Sequence, residues 1–117
     1  MTYLEVFQMV SAIPTQQDAI PVAYYQFPDD PNHPAPAPPF MTYYYPESSD
    51  LHADNINFSH IRALTLELYC DNKDFALEQA VEAALTANGI SFHKFEDYIE
   101  SEKLYMTTYE AEVSING

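Results

Sequence analysis

Six prolines stand within the twelve residues 28–39, and they constrain the fold more than any other feature of the sequence. Because proline lacks an amide hydrogen and fixes φ, this segment can be neither a helix nor a central strand. It is also too long for an ordinary hairpin turn, and loops of this length commonly carry a function or move. We expect an extended, polyproline-like arm between two short strands.

Helical and strand periodicities alternate in the rest of the chain. Apolar residues at three- and four-residue spacing predict a helix over residues 1–13. Thr2 and Glu5 stand at the spacing of a capping box at its start. Alternating or short apolar runs predict strands at residues 22–27, 40–45, 58–69, 91–99 and 104–115.

A second helix is predicted after the third strand. It begins at Asp71 or Asn72, which are favourable N-cap residues, and it ends where Gly89 can take a left-handed C-cap. Its apolar residues at positions 77, 80, 81, 84 and 85 form one stripe. Glu78 and Glu82 are therefore expected on the opposite face of this helix.

The predicted order is α-β-β-β-α-β-β. Strands that follow one another usually pair with one another, so we expect a mostly antiparallel sheet of about five strands with both helices on one face. This is a two-layer α+β fold, and the length predicts a single domain over residues 1–117. A proline-rich loop at 28–39 and a polar loop at 46–57 interrupt it.

Charge excludes several classes of function. Eighteen acidic residues against four basic ones give a net charge of −14. Such a chain cannot neutralise a row of phosphates, and an anionic membrane surface would repel it. No apolar run approaches the ~20 residues of a membrane span, and we expect an intracellular protein without a signal segment. With one cysteine and two glycines, an internal disulfide and a glycine-rich phosphate loop are also excluded.

Two loops carry carboxylates and imidazoles, which suit divalent metal ions. They lack the fixed spacing of a ligand frame, so solvated loop polarity explains them better. Their members are Asp29, Asp30, His33, Asp50, His52 and Asp54. Cys70 is a poor candidate nucleophile, because the neighbouring Asp71 and Asp74 should raise the pKa of its thiol. We therefore predict no metal site, no cofactor and no enzymatic activity.

Tyrosine gives the strongest positive signal. Runs of adjacent tyrosines occur at positions 24–25 and 43–45, and adjacent strand residues point to opposite faces of a sheet. One face can be core, whereas the other must meet solvent or a partner, and tyrosine is enriched at interfaces. The candidate subunit-interface residues are Tyr24, Tyr25, Tyr43, Tyr45, Tyr69 and Tyr105. The alternative is a sheet that carries tyrosine on its solvated surface.

Four stretches together cover much of the chain: "PVAYYQFPDD", "PFMTYYYPESSDLHADNINF", "LTLELYCDNKDFALEQAVEAAL" and "YIESEKLYMTTYEAEVSING". They resemble the tail terminator proteins of siphophages and prophages of Gram-positive bacteria, also called tail-completion or tail-to-head joining proteins. The resemblance implies a virion protein, assembled in the host cytoplasm, that forms a six-membered ring at the head–tail interface. Its implied partners are copies of itself, the major tail-tube protein and the head-completion or connector protein. The phage genome would pass through the ring without specific binding.

A ring of acidic protomers would surround a negative channel, through which DNA passes without sticking. The candidate channel-lining residues are Glu110, Glu112, Glu100 and Glu102. The candidate docking residues, in the two long loops, are Asp29, Asp30, Asp50 and Asp54. The same acidity fits an alternative function, in which the chain mimics DNA and inhibits a host nuclease or defence effector.

Overall fold

The computed structural model describes residues 1–14, 19–46 and 59–116. Helix α1 spans Tyr3–Ser11, and the predicted capping box is present: Glu5 N donates to Thr2 Oγ1 at 3.1 Å, and Thr2 N donates to Glu5 Oε1 at 2.7 Å. Val6 and Val10 lie on the buried side of α1. The helix ends two residues earlier than predicted, and Ile13 continues into the core with 2% of its surface exposed.

The described residues form one five-stranded sheet in the order β1-β2-β3-β5-β4. The strands are β1 at Val22–Tyr24, β2 at Phe40–Tyr44, β3 at Ser59–Cys70, β4 at Phe92–Ile99 and β5 at Leu104–Asn116. The long β3 and β5 pair along their whole length in the centre, and β4 pairs with β5. The predicted α+β class, element order and mostly antiparallel sheet are confirmed.

One pair of strands departs from the antiparallel pattern. β1 runs parallel to β2, with Val22 beside Met41 and Tyr24 beside Tyr43. Parallel neighbours cannot be joined by a tight turn, so the chain must return to the starting end of the sheet. Residues 25–39 make this return and contain neither helix nor strand. The proline-rich segment is therefore the connection that the parallel pair requires.

Helix α2 spans Phe75–Ala87, between β3 and β4. The predicted N-caps are wrong, since the cap is Asp74, whose side chain accepts a hydrogen bond from Leu77 N at 3.0 Å. The predicted C-terminus is confirmed: Gly89 has a φ of 72° and Ile90 N donates to Leu85 O at 2.9 Å. These contacts form a Schellman motif, in which the glycine adopts the left-handed conformation at no steric cost.

Both helices cover the same side of the sheet, which we call the inner face. The Tyr3 ring of α1 packs edge-on against Tyr45 at 5.1 Å, and Thr107 of β5 donates to Glu78 of α2 at 3.5 Å. The core between the layers consists mainly of aliphatic side chains, with Leu64, Leu66 and Leu68 of β3 almost fully buried. The opposite side of the sheet, the outer face, carries no helix of the described residues.

Candidate assembly surface

Aromatic rings cover one end of the outer face. Phe40 stacks on Tyr69 with ring centroids 5.0 Å apart, and Phe27 meets Phe40 edge-on at 5.5 Å. Further along the same face, Tyr25 packs against Tyr44 at 5.3 Å. We call these five residues the outer aromatic patch. Such a patch on a sheet face without a covering layer is typical of a surface that meets another protein.

The most exposed ring of the patch belongs to a residue with a strained backbone conformation. Tyr25 follows the last paired residue of β1, has a φ of 72° and exposes 64% of its surface. Its amide donates to Tyr43 O at 2.8 Å, which fixes the turn. The left-handed region is costly for a residue with a large side chain. No sequence signal indicated this conformation, because asparagine or glycine is the usual residue there.

Carboxylates lie beside the outer aromatic patch. Glu67 accepts hydrogen bonds from Thr42 Oγ1 at 3.2 Å and Tyr69 Oη at 3.0 Å. Burial, followed by the charge of Glu67, raises the pKa of both Tyr44 and Tyr69. Both phenols therefore keep their protons, and that of Tyr69 donates to Glu67. The outer face thus combines rings, hydroxyl donors and carboxylates over one continuous surface.

The candidate channel-lining acids fall into two separate places. Glu110 and Glu112 are exposed on the outer face of β5, whereas Glu100 and Glu102 lie at the turn that joins β4 to β5. Six residues of strand separate the start of β5 from Glu110, which is roughly 20 Å. The four acids therefore do not form one cluster within a protomer.

The candidate interface tyrosines are divided between the two faces. Tyr25 and Tyr69 belong to the outer aromatic patch, but the other four lie on the inner face, at Tyr24, Tyr43, Tyr45 and Tyr105. Tyr43 exposes only 7% of its surface and belongs to the core. Tyr105 meets Tyr98 with centroids 4.9 Å apart, near the turn between β4 and β5. Sequence alternation alone could not assign these faces, because the tyrosines come in adjacent runs.

Three of these tyrosines line a depression beside α1. Its volume is about 360 Å³, and its walls are Tyr3, Tyr24, Tyr43, Tyr45 and Arg62. The Arg62 guanidinium lies 6.0 Å from the centre of the Tyr3 ring. Within the part of the chain that the structure describes, Tyr45 Oη and Arg62 Nε are buried without a hydrogen-bond partner. One sequence feature could have indicated this site: Arg62 is the single arginine of a strongly acidic chain.

Two of the four candidate docking acids belong to the described residues. Asp29 and Asp30 are exposed in the proline-rich segment, and Asp30 Oδ1 closes a turn by accepting from Asn32 N at 2.9 Å and His33 N at 2.8 Å. Asp50 and Asp54 lie outside the described residues. Among the residues that are described, no three histidine, cysteine, aspartate or glutamate side chains are grouped as a metal site would require.

Two of the four basic residues converge on one buried carboxylate. Glu78 exposes 4% of its side chain; Lys73 Nζ lies 2.5 Å from its Oε2, and Lys94 Nζ lies 2.8 Å from its Oε1. Lys94 also contacts Glu82 at 2.8 Å, and Lys73 pairs with Glu96. Since Oε1 of Glu78 has no well-directed hydrogen bond, the Lys94 contact is chiefly electrostatic. We call these five residues the charge network.

The charge network corrects the sequence interpretation of α2. Glu78 and Glu82 were expected on the face opposite the apolar stripe, but Glu78 lies against the sheet with 3% of its residue surface exposed. The contacting lysines come from the β3–α2 connection and from β4, so the helix pattern alone carried no sign of them. This network joins α2 to the edge strand and has a structural role.

Cys70 should resist thiol reagents while the protein is folded. It is 6% exposed, and burial, reinforced by Asp74 and Glu78, raises the pKa of its thiol to about 11. The expected upward shift is confirmed, although burial is its larger cause. At pH 8 we expect iodoacetamide to modify Cys70 only after unfolding in denaturant, as measured by mass spectrometry. Modification of the native protein at the rate of a free thiol would contradict this prediction.

Neither helix in the described part of the chain has the length and hydropathy that a bilayer crossing needs. The chain matches no protein-family model, and a search of curated proteins finds no match to it.

Proposed function

We propose that this protein is a structural component of a phage virion, a tail terminator that assembles as a six-membered ring. The ring caps the tail tube, joins it to the head connector and lets DNA pass. The observation that carries the proposal is the outer face, an uncovered sheet surface with the aromatic patch and exposed carboxylates side by side. The sequence stretches that resemble tail terminators support the same function.

The outer face suits contact between copies of the chain. Aromatic residues bury large areas at small cost in conformational entropy, which makes them frequent anchors of interfaces. Tyr25 is the most exposed ring of the patch, at 64%. The neighbouring carboxylates accept hydrogen bonds, so a second copy can contribute donors as well as apolar contacts.

Acidity suits a channel that DNA crosses without binding. A net charge of −14 on each protomer gives a ring a strong negative potential, which repels phosphates. The same charge opposes assembly, because protomers repel one another. Salt shortens the Debye length from about 10 Å at 0.1 M to about 3 Å at 1 M, and so weakens this repulsion. Ring formation should therefore increase with salt.

Sedimentation velocity at increasing sodium chloride tests the proposal. We expect a species of six times the 13.4-kDa protomer mass to appear as the salt concentration rises, and this species should bind isolated tail tubes. Tyr25→Asn removes the exposed ring and keeps a residue that tolerates positive φ, so it should weaken ring formation about tenfold without unfolding the protein. Phe75→Ser, which removes a 67%-exposed ring on α2, is the matched control and should assemble normally.

Three outcomes would contradict the ring. They are assembly that weakens as salt rises, equal effects of Tyr25→Asn and Phe75→Ser, and absence of the protein from purified phage particles. The alternative function, mimicry of DNA, predicts instead a protein that stays small at every salt concentration. It would bind a basic nuclease or defence effector in a strongly salt-sensitive way.

A further inference from the structure

The far edge of β4 is open. Among the described strands, β4 stands last in the sheet and pairs on one side only. All residues from His93 to Tyr98 are exposed, and Phe95 and Tyr98 expose 53% and 45% of their surface. The strand is eight residues long and contains no proline or glycine. A long, exposed edge of this kind is a template for another strand.

The opposite edge of the sheet is different. β1 has three residues and lies between Pro21 and Pro28, which restricts further pairing. Short edge strands and prolines are common means of preventing edge-to-edge association. Only the β4 edge therefore offers a full set of outward-pointing backbone groups in the described sheet.

The sequence of β4 is complementary to itself about Phe95. An antiparallel pairing of two copies, centred on this residue, places Phe92 beside Tyr98, His93 beside Asp97, and Lys94 beside Glu96. Each of these three pairs occurs twice across a two-fold axis. One combines aromatic rings, one an imidazole with a carboxylate, and one an ammonium with a carboxylate. All three are favourable cross-strand neighbours.

The register also agrees with the faces of the sheet. Directly opposed residues in an antiparallel pair point to the same face. Lys94 and Glu96 both lie on the inner face, as their contacts with the charge network show, whereas His93 and Asp97 both lie on the outer face. A shift of one residue would oppose inner to outer side chains and lose every pair.

We propose that two copies of this chain pair antiparallel through their β4 edges, with the two-fold axis at Phe95, to form one continuous ten-stranded sheet. Elsewhere two copies of charge −14 repel, but here each acidic side chain meets a basic or aromatic one. A two-fold contact closes on itself and cannot build a ring. This dimer is therefore a second assembly state of the free protein, and it does not rest on the proposed function.

Disulfide trapping tests the axis and the register. Opposed residues in an antiparallel pair have Cα atoms about 4.5–5.5 Å apart, within the range that a disulfide spans. Phe95→Cys should form a disulfide-linked dimer under mild oxidation, whereas Phe75→Cys, on α2, should not. A mixture of His93→Cys and Asp97→Cys proteins should form a disulfide-linked dimer, while either protein alone should form none. Cross-linking of His93→Cys alone at the rate of the mixture, or of Phe95→Cys no faster than Phe75→Cys, would overturn the proposal.

Charge-changing substitutions test the pairing of opposed β4 residues without an introduced cysteine. His93→Asp opposes two carboxylates at each end of the contact, so we expect dimerisation to weaken about tenfold in sedimentation equilibrium. Gln79→Asp adds the same charge on an exposed position of α2 and should have little effect. The double variant His93→Asp/Asp97→Lys restores opposite charges and should return dimerisation to within about threefold of the original. Failure of the double variant to recover, or an equal loss with Gln79→Asp, would refute the pairing.

Discussion

Replacing Tyr109 with alanine is expected to lower the free energy of unfolding by about 4 kcal/mol. The side chain is fully buried, and its ring meets Phe92 edge-on with centroids 5.4 Å apart. Alanine would leave a cavity between α2 and the sheet that these packed elements cannot fill. The midpoint of thermal unfolding should fall by on the order of 15 °C in differential scanning calorimetry.

Tyr109→Phe separates the ring from its hydroxyl. The hydroxyl donates to Glu82 Oε2 at 3.0 Å, and burial, with the hydrogen bond to Glu82, raises the pKa of Tyr109 so that it stays a donor. Loss of this bond should cost about 1 kcal/mol, a fraction of the alanine effect. If phenylalanine were as damaging as alanine, the hydroxyl rather than packing would dominate, and our account of this position would be wrong.

Elements that are determined by interactions between neighbouring residues could be predicted from the sequence. The capping box at Thr2 and Glu5 lies within four residues, and Gly89 ends α2 through contacts inside one turn. The alternation of leucines in β3 likewise indicates which side is buried. In each case the deciding interactions are between residues close together in the chain.

Features that depend on distant residues could not be predicted in this way. The parallel pairing of β1 with β2 depends on the path of residues 25–39, and the burial of Glu78 depends on lysines from two other elements. The division of the tyrosines between two faces has the same origin. Adjacent aromatic residues are consistent with either register, whereas the structure buries Tyr43 in the core and packs Tyr45 against Tyr3 of α1.

Replacing Glu78 with glutamine should destabilise the protein by about 2 kcal/mol at neutral pH, because it leaves the Lys73 and Lys94 ammonium groups without their shared anion. This loss of unfolding free energy is smaller than for a fully buried ion pair, since Lys94 exposes 38% of its side chain and water partly replaces the carboxylate. Glu82→Gln is the matched control. It removes a carboxylate that is 29% exposed and keeps the Glu78 contacts, so its effect should be under about 1 kcal/mol.

The effect of Glu78→Gln on stability should depend on pH, and this dependence identifies the charge of Glu78 as the cause of the effect. Burial acts to raise the pKa of Glu78, but the hydrogen bond from Lys73 and the contact with Lys94 outweigh it, so the pKa falls below its ordinary value of 4.5. A carboxyl with a lowered pKa stabilises the fold above its unfolded pKa, and this contribution disappears as pH falls through the folded value. For Lys94, the close contact with Glu78 raises the pKa above its ordinary value of 10.5, so its contribution is complete below 10.5 and is lost at higher pH.

In urea titrations, the free energies of unfolding of the original protein and of Glu78→Gln should therefore differ by a constant amount between about pH 5 and pH 10. The difference should shrink as the pH falls below about 4.5, because Glu78 of the unfolded chain then takes up a proton more readily than Glu78 of the folded protein. A difference that stays constant down to pH 2 would mean that glutamine disturbs packing rather than charge.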